Sequence, residues 1–316
     1  MVLAPWLLLG AVGAQESATD APTPAQVLAE VLADPALSDA RFGVHVVDLE
    51  SGEELLNHDT DKGFMTASNM KLMSSAVALH GLGPDNRFVT RLGAVERIGE
   101  SQSGSGRHLS SLFLIGDGDP TLGGRHEDAP MACMADLAAA IKEVGITTVG
   151  TIYPDTSCHA DEVMGQGWQW DYQDAAYAAQ ISGLCFNENI VRLALRQGED
   201  GKLESSLLPA SVGTNFSPDG SFVSIHSLDV TCLPDGSDAK SDIRSGRVRG
   251  TNRIWATGRL APDDEQVLRY SVEWPELFAT EALSSALLDV GIRVYGRAGD
   301  PGRSRVGNLM NKDLRE

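Results

Sequence analysis

Ser68 stands three residues before Lys71 in "MTASNMKLMSSAVALHGLG", residues 65–83. On a helix that spacing sets both side chains on one face, about one turn apart. A serine hydroxyl beside a lysine amine is a nucleophile beside its base, provided that the amine is neutral. An ordinary lysine titrates near about 10.4, so burial or a neighbouring cation has to favour the neutral form. N–H groups at the start of a helix would then stabilise a developing oxyanion. The same pair also arises as a capping serine and a lysine whose stem lies along apolar surface with its ammonium in water. Ser-x-x-Lys recurs by chance in many sequences, so the pair alone does not decide between these readings.

The element that must position the pair is legible. Met70, Met73, Val77 and His80 fall at helical spacing, as do Leu72, Ala76 and Leu79. Thr66 is the expected N-cap, and Gly81, Gly83 and Pro84 stop the helix. Both stripes are apolar, which predicts a helix buried on most sides.

Before the helix, "FGVHVVDLESGEELLNHD" predicts a strand over 42–49, a turn at Ser51-Gly52 and a second strand near Leu55. A polar linker and an amphipathic stretch over 26–32 precede that hairpin. After the helix, "RFVTRLGAVERIG" and "HLSSLFLIG" read as strands around the Gly/Ser-rich tip "ESQSGSGR". "APMACMADLAAAIKEVG" is a helix with Pro130 at its start and Gly145 at its stop. From Gly150 onward short strands dominate, among them "TVGTIYPD", "NIVRLALR", "SFVSIHSLDVT" and "RIWATGRL". "PELFATEALSSALLDVGI" is a last helix, leading to "RVYGRAG". The class is α+β.

Composition narrows the chemistry. The 316 residues carry a formal net charge of −19, with no clustered Lys and Arg to hold phosphates, which argues against a nucleic-acid partner. Seven scattered histidines without H-E-x-x-H, and four cysteines without C-x-x-C, predict no metal and no cofactor. If Cys133, Cys158, Cys185 and Cys232 all paired after export, three connectivities would be open; Cys133, at helical spacing from Leu137, Ile141 and Val144, reads better as a core thiol. "MVLAPWLLLGAVGAQES" carries an apolar stretch of about a dozen residues ending near Ala14, too short for a membrane span and suited to a signal peptide that sends the chain to the periplasm or outside the cell. Its lack of an early Lys or Arg leaves a buried N-terminal helix as the other reading.

Several segments in order share a resemblance. "TASNMKLMSSAVALHGLGPDNRFVTRL", "LFLIGDGDPTLGG", "TIYPDTSCHADEVMGQGWQWDY", "ISGLCFNENIVRLAL" and "RVRGTNRIWATGRL" resemble the D-alanyl-D-alanine carboxypeptidases of the DacB type, penicillin-binding enzymes of peptidase family S13, over roughly residues 26 to 300. The resemblance implies a penicillin-binding, β-lactamase-like serine transpeptidase fold, a sheet flanked by helices with a long β-rich insertion after the Ser-x-x-Lys helix. It divides the chain into a signal peptide (1–14), the N-terminal part of the catalytic domain (15–86), the inserted domain (87–261) and a segment returning toward the catalytic domain (262–316).

By the same resemblance, Ser68 attacks the D-Ala-D-Ala carbonyl of peptidoglycan stem peptides and Lys71 assists its deprotonation. β-Lactams would acylate the same serine. Asp155 matches a family position near the amine of the diaminopimelate side chain, where a carboxylate suits an ammonium; as a loop carboxylate it would instead bond local backbone N–H groups. Asp119 reads as a turn residue fixed by Pro120. Trp168 and Trp170 read as core packing, with a sugar or peptide shelf as the alternative.

The chain departs from the pattern in one respect. Ser-x-Asn and Lys-Thr-Gly, the family's other motifs, are absent from the 316 residues. Arg244-Ser245-Gly246 resembles the latter with Arg for Lys but falls inside the expected insertion, where a turn between strands is the ordinary reading. The expectation is therefore a D-Ala-D-Ala carboxypeptidase or endopeptidase cut short within its catalytic fold, weak or inactive as written. The alternative is a non-catalytic peptidoglycan-binding or interaction module. A β-lactamase or esterase on the same scaffold fits less well, because those enzymes usually lack so long an insertion. The sequence defines no oligomeric state.

Overall fold

A computed structural model describes residues 22–96, 106–124, 129–159, 162–209 and 222–296. The expected signal peptide over 1–14 and most of the Gly/Ser-rich tip lie outside the described residues. The chain divides into two compact units, Met1–Asn86 and Arg87–Glu316.

Unit 1 opens with helix α1 (Pro24–Leu32), closed at its N-terminus by a reciprocal capping box between Thr23 and Gln26. Strands β1 (Val44–Val47) and β2 (Glu54–His58) pair antiparallel, with Val44 opposite His58. Asp48 closes the connecting turn by accepting from the N–H groups of Glu50 and Ser51. A single 3₁₀ turn, Ala67–Asn69, leads into helix α2 (Met70–Leu82), which ends at Gly83 in a left-handed conformation, φ 80°. Thr66 precedes the 3₁₀ turn but makes no side-chain capping bond. The expected burial of α2 is not found. Leu72 is 74% exposed and Val77 69%, and the helix has no buried residue. A helix is buried by what packs on it, and among the described residues of unit 1 nothing covers these apolar stripes.

Unit 2 holds every fully buried side chain among the described residues. Strands β3 (Arg91–Glu96), β4 (Arg107–Ile115), β5 (Ile146–Asp155) and β12 (Arg293–Val294) form a mixed sheet in the order β12-β5-β4-β3. β4 and β5 run parallel, and helix α3 (Ala132–Glu143) connects them, the crossover that parallel neighbours require. Met131, one residue after Pro130, is the N-cap of α3, and Gly145 at φ 80° follows its end. Helix α4 (Pro275–Asp289) leads back to β12 and buries Leu277, Phe278, Ala279, Ala282, Leu283 and Leu287 against the common core.

Two three-stranded sheets complete the unit. β6 (Ile190–Gln197) lies between β7 (Leu203–Leu208) and β11 (Glu265–Ser271), while β10 (Arg253–Leu260) lies between β8 (Ser224–Cys232) and β9 (Asp242–Arg247). β11 and α4, expected within a return segment, thus sit in unit 2. Arg244-Ser245-Gly246 is not a turn. It lies in β9, where Gly246 faces Trp255 of β10, and the indole fills the space of the missing side chain. The mixed helix and sheet content is consistent with the α+β class expected.

Candidate active site

Ser68 is the middle residue of the 3₁₀ turn and Lys71 lies in the first turn of α2. Lys71 Nζ donates to Ser68 Oγ at 3.0 Å, so the spacing does bring amine and hydroxyl together. Ala67, the residue before the serine, has φ 43°, a left-handed value that L-residues with a Cβ rarely adopt and that gathers at functional positions. No signal in the sequence marked it, because alanine is not a type that favours this region. Both members of the pair are exposed. The low-dielectric surroundings that favour a neutral amine and strengthen oxyanion contacts are therefore not supplied by the described residues.

Asp155 lies elsewhere, in unit 2, at the end of β5 opposite Ile115 of β4. Parallel strands present their carboxyl ends as a place for ligands. Three chain segments meet there. Gly116 N–H donates to the Asp155 carbonyl at 2.9 Å and Gly118 N–H to the Gly183 carbonyl at 2.8 Å. The approach is close enough to require glycine, since a Cβ on Gly116 would stand 2.1 Å from the Gly183 oxygen, and one on Gly183 would stand 2.6 Å from Cys158 Sγ. The half-buried Asp155 carboxylate accepts from Ser157 N–H at 3.0 Å, the local bond expected of a loop carboxylate. Asp119 likewise accepts from the N–H and hydroxyl of Thr121, at 2.9 and 2.7 Å, the turn role expected for it.

The four cysteines are free thiols. Burial pushes Cys185 up to about 11, with Glu188 and Asp119 adding to the shift; burial raises Cys158 as well, helped by Asp117 and Asp155. Among the described residues no group of His, Cys, Asp and Glu is placed to hold a metal ion, and no helix is long and apolar enough to cross a membrane.

Sequence reasoning missed a buried polar cluster. Arg247 donates to Glu273 Oε1 at 2.7 Å, to the carbonyls of Thr251 and Gln173 at 2.7 and 2.8 Å, and to Ser271 Oγ at 3.3 Å. Its side chain is 2% exposed and that of Glu273 12%. This ion pair ties the 170–174 turn to β9 and β11. Trp168 and Trp170, expected in the core, are 40% and 64% exposed. Trp168 lies in an irregular stretch, and Trp170 opens a 3₁₀ turn, Trp170–Tyr172, with Arg249 over its ring.

Residues 25–310 match the D-Ala-D-Ala carboxypeptidase 3 (S13) family. The chain is 33% identical over 302 residues to the D-alanyl-D-alanine carboxypeptidase of Actinomadura sp. strain R39, covering 94% of this chain and 53% of that protein. It is 21% identical over 300 residues to the D-alanyl-D-alanine carboxypeptidase DacB of Haemophilus influenzae, covering 93% and 57%. Among solved structures, penicillin-binding protein 4 (dacB) from Haemophilus influenzae superposes with a TM-score of 0.58 at 19% identity, over 81% of this chain and 54% of that one. Its complex with a novel β-lactam gives 0.53 at 17% identity, over 82% and 51%. The chain belongs to the S13 family of D-Ala-D-Ala carboxypeptidases, which are serine peptidases. It spans about half the length of the relatives it matches.

Proposed function

We propose that the chain carries the nucleophile of a serine-type D-Ala-D-Ala carboxypeptidase or endopeptidase acting on peptidoglycan stem peptides. The observation that carries this reading is the 3.0 Å contact between Lys71 Nζ and Ser68 Oγ at a left-handed turn, in a chain whose relatives are D-alanyl-D-alanine carboxypeptidases. Lys71, when neutral, takes the Ser68 proton as Oγ bonds to the carbonyl carbon of the penultimate D-Ala. The C–N bond to the last residue breaks, and the proton passes to the leaving amine. Water then hydrolyses the ester and returns Ser68 to its hydroxyl form. A β-lactam enters the first half of this sequence, its ring amide replacing the peptide bond and its acyl group remaining on Ser68. Asp155 is the candidate partner for an ammonium on the substrate side chain, in keeping with its half-buried carboxylate. Peptidoglycan lies outside the cytoplasm, so this function goes with a secreted, periplasmic chain.

Because Ser68 and Lys71 are exposed, the 316 residues alone turn over weakly. Intact mass after incubation with benzylpenicillin tests the reading. A slow adduct of one penicillin, lost in Ser68→Ala, is expected, and Lys71→Ala slows its formation by about 10²-fold or more. No adduct on the folded chain, or one that survives Ser68→Ala, overturns the assignment.

A further inference from the structure

A cleft of about 520 Å³ opens on unit 2 between the 170–174 turn and the β9–β10 hairpin. Its size is that of a small-ligand site. Trp170 forms one wall, with the Arg249 guanidinium lying over one face of its ring, 4.3 Å from the centroid, and the other face left for a ligand. Trp255 lines the cleft from β10, and Asp171 and Asp174 line it from the 170–174 turn. The cleft's walls meet closely at Gly246, where a Cβ would lie 2.9 Å from the Asp174 Oδ2 atom and 3.0 Å from the Trp255 ring. The cleft is also held in shape. Asp174 Oδ2 accepts from Arg247 N–H at 3.3 Å, and the buried Arg247 side chain grips the Gln173 carbonyl.

The lining selects a ligand by charge and by shape. Arg247 is neutralised by Glu273, leaving one cation, Arg249, against two carboxylates. That balance disfavours nucleotides and other polyanions. The lining presents indole rings beside hydrogen-bonding groups, a combination that suits paired hydroxyls. A pyranose has apolar C–H faces to lie on an indole and hydroxyl edges for carboxylate and guanidinium. We propose that this cleft is a saccharide-binding site that holds the glycan strand of the cell-wall polymer whose stem peptides Ser68 attacks. The choice of strand rests on the function proposed above; the saccharide chemistry rests on the cleft alone.

Calorimetry of the full chain with a β-1,4-linked N-acetylglucosamine tetramer, beside maltotetraose, tests the proposal. Binding of the first tetramer in the sub-millimolar range is expected, with maltotetraose at least tenfold weaker. Trp170→Ala, at an exposed turn position, weakens binding tenfold or more, and the shape-preserving Asp171→Asn about fivefold. Lack of binding at several millimolar, equal affinity for maltotetraose, or a folded variant of either kind that binds like the parent chain overturns the proposal. Should Trp170→Ala fail to fold, Asp171→Asn decides. Ser68→Ala binds the tetramer unchanged, while the penicillin adduct reports on Ser68 alone, so failure of one assignment is distinguishable from failure of the other.

Discussion

Ala67 holds a left-handed backbone at φ 43° immediately before Ser68, a conformation costing a residue with a Cβ about 1–2 kcal/mol. The turn keeps Ser68 Oγ within reach of Lys71. Ala67→Gly removes the strain and frees the turn, so benzylpenicillin acylation should slow by about tenfold, equivalent to about 1.4 kcal/mol, with the far-ultraviolet circular dichroism unchanged. At Cys185, burial raises the thiol from 9.0 to about 11. The unfolded chain ionises first as pH rises, so the group's contribution to stability is complete below pH 9 and is lost as pH climbs toward about 11, some 2–3 kcal/mol in all. Urea midpoints of the parent and Cys185→Ser, compared across that window, should converge at the alkaline end. At this scale the sequence was legible where spacing carries chemistry, as for Ser68 and Lys71. It was silent where a fact lies in a dihedral angle, as at Ala67, or in distant packing, as for Arg247 and Glu273.

Among the elements, helices announced themselves through long apolar periods and punctuation, so α2, α3 and α4 were readable with their stops. The strands β7, β9 and β11 were harder. "LESSLL", "DIRSGR" and "EQVLRYS" are short and polar on one face, and what makes them strands is a partner far away in the chain. β11 pairs with β6 across a separation of 69 to 81 residues. Arg247 of β9 bonds Ser271 of β11 and pairs with Glu273 just beyond it. Arg247→Met leaves Glu273 buried without its cation and should cost about 3–5 kcal/mol in chemical denaturation of unit 2. Gly116→Ala forces apart the segments at the end of β4 and should destabilise by about 1–3 kcal/mol, read as an earlier thermal midpoint.

For the whole molecule, the uneven distribution of core is the dominant fact. Buried side chains begin at Leu109 and run to Ile292, all in unit 2, whereas the unit that carries Ser68 has none among the described residues. Composition predicted the reverse for α2, because hydrophobic stripes report what a helix is able to bury and not what covers it. Amide hydrogen exchange should follow this division, with β4, β5, β6 and α4 protected to the global limit and α2 exchanging orders of magnitude faster.

The same imbalance has a practical face for anyone who purifies and stores this chain. Lys62 and Lys71 are exposed on the poorly buried unit, so a trace of trypsin-like protease should cut there long before it breaches unit 2. An ageing sample would then keep its melting transition and the glycan affinity proposed for the unit 2 cleft while losing the penicillin adduct expected at Ser68. A low drug stoichiometry in such a sample would record where the chain had been clipped, and would not count against the role proposed for Ser68.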